Sequence, residues 1–289
     1  MQYACGCGRQ EQGTCRTHPT CLSPGRRDYR ADVADQDADQ DARGHANEHS
    51  DPREVVFRSD VTVELVRASA SDADVIFAAR VSTAGEQSLE DVNADAAASA
   101  GLIRFLMRER HGSPFEHTSM TFFVQAPLFV WREHMRHRIA SYNEESGRYR
   151  ELQPVFYVPD RRRALVQVGK AGSYEFLPGT PAQHDLVEAS VRETCRQAYA
   201  LYQEMLAAGI AREVARMVLP VSIYSSAYVT MNARSLMNFL SLRRRADDSH
   251  FPSYPQREIE MVAELYEAAW ATLMLITHEA FVASGRVAP

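Results

Sequence analysis

The run R-H-R-I-A-S-Y-N-E-E-S-G-R at 136–148 decides how the rest of the chain is read. Thirteen residues carry three arginines, a histidine, two serines, an asparagine and a glycine, with fixed negative charge from Glu144 and Glu145 alone. A guanidinium offers a planar fork of donors that matches phosphate and carboxylate oxygens, and such a charge-assisted bond is worth roughly 1.5–3 kcal/mol when its partner is present. Three cations packed this closely repel one another without an anion. The run therefore points to a pocket for a phosphorylated small molecule, with a solvated basic turn as the plain alternative. Gly147 permits close approach of backbone to a ligand. Ser146 has no base written beside it, so it is assigned to binding and not to nucleophilic attack.

The flanks say how the run is held. Pro127 suits a first helical position, and Leu128, Trp131 and Met135 form the buried stripe of a helix that delivers Arg136, His137 and Arg138 at its C-terminal end, where the helix dipole favours cations. Residues 141–148 then read as a loop. Upstream, 55–67 has the β-branched content of one or two strands, and Ser71 reads as an N-cap with Asp72 and Asp74 in the first turn. Ser82 stands at the end of that helix. Leu102, Ile103, Leu106 and Met107 mark one face of a helix within 89–110, stopped by Gly112 and Pro114, and Met120, Phe122 and Val124 alternate along a strand.

Downstream, 154–180 reads as loops and short strands, with P-D-R-R-R at 159–163 a solvated charged turn. A long helix follows over 181–208, with Cys195 inside it as a small buried hydrophobe, then a short helix over 211–219 that offers Arg216. After a strand over 223–231, Asn232 caps a helix that turns Leu236, Phe239 and Leu240 inward while Arg234 and Asn238, four apart, share a polar face. Arg243 stands at its end. One helix is expected over 256–282.

The chain has 289 residues, 45% of them hydrophobic, enough for a sizeable core, and a net charge of −6. That charge argues against a general nucleic-acid binder, which needs a broad basic face. No apolar run reaches the ~18 residues of a membrane helix and no signal-peptide core opens the sequence, so cytoplasm is the expected compartment. Residues 1–53 hold four of the five cysteines, Cys5, Cys7, Cys15 and Cys21, and a stretch rich in Asp, Ala and Gln that is nearly empty of large apolar residues. The expectation is a disordered extension over 1–53 and one folded domain over 54–289. An acidic partner-binding tail is the alternative reading of that extension. The cysteine spacing is not that of a zinc ribbon; a metal clip with His18 stays open, a thiol-bearing tail is the plainer reading, and no metal site is assigned.

The 136–148 run matches R-H-R-x-x-S-x-N-x-x-S-x-R, the signature of the flavin-dependent thymidylate synthases. H-G-S-P-F-E-H at 111–117, E-V-A-R-M-V-L-P at 213–220 and N-A-R-S-L-M-N-F-L-S-L-R at 232–243 resemble the same family. The resemblance covers residue 54 onward. It implies an α+β fold with a central, mostly antiparallel sheet and flanking helices, assembled as a homotetramer whose active sites draw on more than one subunit. It implies reductive methylation of dUMP to dTMP, with methylenetetrahydrofolate as one-carbon donor and FADH2, regenerated by NADPH, as reductant.

Carried over by position, Ser82, Ser113, Glu116, Arg136, His137, Arg138, Glu144, Asn232, Arg234 and Asn238 resemble the FAD contacts. Glu133, Arg136, Glu144, Ser146, Gly147, Arg148, Arg216 and Arg243 resemble the dUMP site, with Arg243 the catalytic group that stabilises the anion formed as uracil N3 loses its proton. Cys195 lacks the cationic, open setting of a thiolate nucleophile, and no G-x-G-x-x-G marks a Rossmann flavoprotein. One departure is the longer segment after Arg243, whose Arg244 and Arg245 blur the register. A non-catalytic nucleotide or RNA binder, and an inactive relative kept as a scaffold, are the competing classes; the first predicts colourless protein whose binding collapses with salt.

Overall fold

A computed structural model describes residues 54–85, 96–170 and 173–289. The expectation for 1–53 lies outside these residues. The centre is a four-stranded, fully antiparallel sheet in the order β2-β3-β8-β4: β2 (Thr62–Ser69), β3 (Ser119–Pro127), β8 (Tyr224–Met231) and β4 (Ser141–Glu144). A short parallel pair, β1 (Val56–Arg58) with β5 (Val155–Tyr157), and a hairpin, β6 (Val166–Lys170) with β7 (Ser173–Leu177), lie apart from it. The α+β expectation holds.

Period-two patterning sets the sheet. Met120, Phe122 and Val124 of β3 are wholly buried, while the intervening Thr121 meets Thr230 of β8 through their hydroxyls at 2.9 Å. Against the buried face pack α1 (Asp72–Ala84), α2 (Ala96–Arg108), α6 (Ala233–Arg243), α7 (Arg257–Leu273) and α8 (Leu275–Ala283). Within that core Phe122 meets Tyr266 edge-on at 4.6 Å between ring centroids, and Leu236, Phe239 and Leu240 of α6 are buried as expected. Each such side chain contributes about 1.5–3 kcal/mol. A second cluster, with Phe156, Cys195, Tyr199, Tyr202 and Ile223, lies under α4 (Pro181–Ala207).

Several local expectations are corrected. The expected helix over 256–282 breaks at Met274, because the Asp72 carboxylate reaches across to accept from Ile276 N and Thr277 N at 3.0 and 2.9 Å. A distant side chain thereby caps a new helix N-terminus. The 211–219 helix shortens to α5 (Arg212–Ala215) and one 3-10 turn, Arg216–Val218. Arg163 is not solvated. Its guanidinium lies 2.8 Å from the buried Glu258 carboxylate, which also accepts from Tyr157. Burial opposes ionisation of Glu258, yet the Arg163 bond outweighs it and holds that carboxyl below its usual range. No helix among the described residues is long and apolar enough to cross a membrane.

Candidate active site

The signature begins where α3 (Leu128–His134) ends. Pro127 is the N-cap and the last residue of β3, one position earlier than the sequence suggests, and Leu128 N and Phe129 N donate to Ile223 O and Val221 O. The buried stripe of α3 is Val130, Trp131 and His134, whereas Met135 is exposed. Trp131 Nε1 donates to both Ala126 O and Ser225 O at 3.1 Å, which pins the helix to β3 and β8. Because α3 stops at His134, Arg136, His137 and Arg138 stand in the turns that follow and not in its last turn.

That exit is shaped by Tyr142, whose hydroxyl donates to His137 O at 2.7 Å and His134 O at 3.1 Å. Tyr142 belongs to β4, so the segment read as a loop is an edge strand paired with β8, from Ser141 opposite Thr230 to Glu144 opposite Ala227. Its polar composition hid this, since an edge strand needs no apolar alternation to satisfy its backbone. The turn proper is 145–149.

The site residues fall into groups. Around the α3 exit, Arg243 Nη1 lies 2.7 Å from Glu133 Oε1, and His137 Nε2 lies 2.9 Å from Ser235 Oγ in the first turn of α6. Burial and then the Arg243 charge hold His137 below its ordinary pKa. Wholly buried His134, bonded through Nε2 to Tyr266 Oη at 3.0 Å, is pulled down to about 3 by burial and then by the charges of His137 and Arg243. Both imidazoles are therefore neutral near pH 7, and Arg243 brings the fixed positive charge.

At the Ser141 end of β4 a cavity of about 370 Å³ is lined by Ser119, Arg138, Ser141 and Asn232 among others. At the Glu144 end a second, of about 430 Å³, is lined by Glu144, Ser146, Gly147, Glu213, Arg216 and Ser225 with apolar Leu152 and Ile223. Ser225 Oγ donates to Glu144 at 2.5 Å, and Arg148 pairs with Glu213 at 2.9 Å. A Cβ on Gly147 would stand 3.1 Å from Leu152 and 3.3 Å from Arg216, so the turn lies close on both.

A further group joins the 111–117 run to α6. Ser113–Glu116 form a 3-10 turn, and Arg234 reaches over it to pair with Glu116. Asn232 caps α6 by accepting from Ser235 N at 2.8 Å, and Asn238 donates to Arg234 O. Ser82 is spent inside α1, donating to Ala79 O. Arg244 is committed elsewhere, with Glu264 and Glu267 each at 3.2 Å, so the geometry sets Arg243 apart from its neighbour.

Three arginines thus have carboxylate partners: Arg148 with Glu213, Arg234 with Glu116 and Arg243 with Glu133. Arg136, Arg138 and Arg216 have none among the described residues. Sequence reading missed His134, Tyr142, Glu213 and Ser225. The H-x-x-H spacing and the E-V-A-R run offered a signal for two of them, but Tyr142 sits at an unspecified signature position.

Comparison with known proteins bears on the family. The sequence profile of the family described as "Thymidylate synthase complementing protein" matches residues 64–272. The flavin-dependent thymidylate synthase of Streptomyces coelicolor is 64% identical over 241 residues, covering 83% of this chain and 98% of that protein. The chain belongs to the flavin-dependent thymidylate synthases. The Tropheryma whipplei flavin-dependent thymidylate synthase is 59% identical over 235 residues, 81% of this chain and 97% of its own. Among solved structures, a UMP/dUMP methylase, PolB from Streptomyces cacaoi bound with 5-Br UMP, superposes with a TM-score of 0.76 at 56% identity, covering 82% of this chain and all of that one. The same methylase is also solved with 5-Br dUMP. Flavin-dependent thymidylate synthases are enzymes, so the competing non-catalytic classes lose their ground.

Proposed function

We propose that this flavin-dependent thymidylate synthase converts dUMP to dTMP in the cytoplasm, taking its one-carbon unit from methylenetetrahydrofolate and its reducing power from NADPH through FAD. The observation that carries the reading is the pair of cavities flanking β4, with Arg138 on the wall of one and Arg216 on the wall of the other, neither bearing an acidic partner among the described residues. Such guanidiniums take phosphate oxygens. For the flavin, the residue to weigh is Arg234, whose Nη2 edge has no partner among the described residues. A Cβ on Gly112 would stand 2.5 Å from Arg234 Nε, so this glycine is the cradle in which the guanidinium lies. The bound flavin would supply hydride chemistry that no side chain offers.

Within this reading Ser82, Ser113, Glu116, Arg136, His137, Arg138, Glu144, Asn232, Arg234 and Asn238 hold the flavin. Glu133, Arg136, Glu144, Ser146, Gly147, Arg148, Arg216 and Arg243 hold dUMP. Arg243, steered by Glu133, stabilises negative charge on the uracil ring as N3 loses its proton. In this reading no sulfur attacks the ring, and Cys195, the one cysteine among the described residues, is 1% exposed, with burial pushing its thiol up and disfavouring the thiolate. The dUMP residues divide between the α3 exit and the far end of β4, as suits a homotetramer that completes each site with a second chain. Residues 1–53 are proposed to be dispensable for turnover.

The relation to a UMP/dUMP methylase favours a second reading, methylation of UMP as well. The test is NADPH oxidation and product formation by the purified yellow protein with dUMP and UMP side by side. Flavin reoxidation and methylated product with dUMP are expected. Colourless protein, or oxidation indifferent to either nucleotide, would overturn the proposal.

A further inference from the structure

Segment 286–289 lies back along α6. After Gly285, whose φ is 68°, Arg286 also takes a positive φ of 58°, a conformation costing a non-glycine residue roughly 1 kcal/mol or more. What holds it there is specific. Its guanidinium is buried on Glu267 of α7, Nη2 to Oε1 at 2.5 Å, and its main-chain oxygen lies 2.7 Å from Ser241 Oγ, a hydroxyl it shares with Met237 O at 2.8 Å. Gly285 O accepts from His250 N at 2.8 Å, closing the loop after α6 over the same turn. At the other end, the Pro289 main-chain oxygen accepts from Arg234 Nε at 2.7 Å.

The lengths agree. Ser241 and Arg234 are seven residues apart on one face of α6, roughly 10 Å along the axis, and three residues of extended chain from 286 to 289 span about the same. The segment is therefore a strap tied at both ends. Arg234 is held from three sides: Nε by Pro289, Nη1 by Glu116, and one face by Gly112. Its Nη2 has no partner among the described residues.

We propose that segment 286–289 is a positioning strap for Arg234, aligning its free guanidinium edge and so setting flavin affinity without touching the flavin. This rests on Arg234 being a flavin contact. The strap fixes the guanidinium plane through Nε, the atom that most restricts its rotation, and leaves the outer edge for a phosphate or ring oxygen.

The experiment compares the intact chain, a variant lacking 287–289, Ser241→Ala, Arg234→Gln, and the deletion combined with Arg234→Gln. FAD dissociation constants are measured by titrating flavin-stripped protein, with thermal melts taken without flavin. The deletion is expected to weaken FAD about tenfold, one aligned charge-assisted bond, with the flavin-free melt lowered only by the lost packing of Ala288 and Pro289. Ser241→Ala, which loosens the strap without shortening the chain, weakens FAD in the same direction and decides the matter should the deletion fail to fold. In the Arg234→Gln background the deletion has no further effect, the mark of two changes acting through one group. Unchanged FAD affinity in the deletion and in Ser241→Ala, alongside weakened binding in Arg234→Gln, sinks the strap but spares the site. Full additivity also sinks it. If Arg234→Gln alone binds FAD normally, the flavin reading of Arg234 falls and the strap with it.

Discussion

Gly112→Ala separates the fold from the site. At φ −77° and ψ −31° alanine is unstrained there, so the backbone does not object. The new Cβ, however, would stand 2.5 Å from Arg234 Cζ and Nε and 2.8 Å from Nη2. Ordinary contact is about 3.5–4.0 Å, so the guanidinium must retreat by about 1 Å. The Nε bond to Pro289 then lengthens from 2.7 Å beyond hydrogen-bonding reach. For stability this matters little, because Arg234 and Glu116 are 40% and 44% exposed and such pairs are worth about 0–1 kcal/mol. For flavin binding it matters more: a charge-assisted bond of about 1.5–3 kcal/mol corresponds to roughly a ten- to hundredfold loss of affinity. The assay is FAD titration of stripped protein beside a thermal melt. A variant that melts as the wild type but binds FAD at least tenfold more weakly supports the assignment. FAD affinity within about twofold of wild type, with Arg234 displaced, would refute it.

Three more expectations follow from the same geometry. Cys195→Ala should keep dTMP formation at a cost of about 1 kcal/mol in stability; lost turnover in a folded variant would revive a thiol nucleophile. Arg243→Ala should lower turnover by about a hundredfold or more, whereas Arg244→Ala, which leaves Glu264 to Arg257 and Glu267 to His278 and Arg286, should cost about 0–1 kcal/mol and spare turnover; the opposite pattern would put the catalytic role on Arg244. Glu267 resists ionisation through burial but is carried down to about 2 by bonds from His278 and Arg286, against an ordinary 4.5. A depressed carboxyl contributes stability above its unfolded pKa and loses it as pH falls toward the folded one, here about 3 kcal/mol between roughly pH 5 and 2. Melting of the wild type should therefore fall more steeply with acid than that of Glu267→Gln, and parallel curves would contradict the assignment.

What the sequence made legible depended on how far the deciding atoms lie apart. Alternation along β3, the Ser71 and Asn232 caps and the two faces of α6 are local, and each is where its pattern puts it. The break at Met274 was invisible, because the capping carboxylate is Asp72, 205 positions from Thr277. The edge strand β4 was hidden because polar side chains and a paired backbone leave no apolar period to read. The site shows the same division. The signature's spacing announced anion chemistry, but not which arginines stay available. That is decided by Glu116, Glu133 and Glu213, each from another segment, which claim Arg234, Arg243 and Arg148 and leave Arg136, Arg138 and Arg216 without acidic partners among the described residues. Arg138 and Arg216 line cavities at opposite ends of β4, a span of roughly 10 Å at about 3.4 Å per residue. If both cavities take anions as proposed, that separation suits two ligands better than one nucleotide phosphate. The proposed tetramer would supply facing walls, and in that reading a signature confined to thirteen residues would specify a site that a second chain completes.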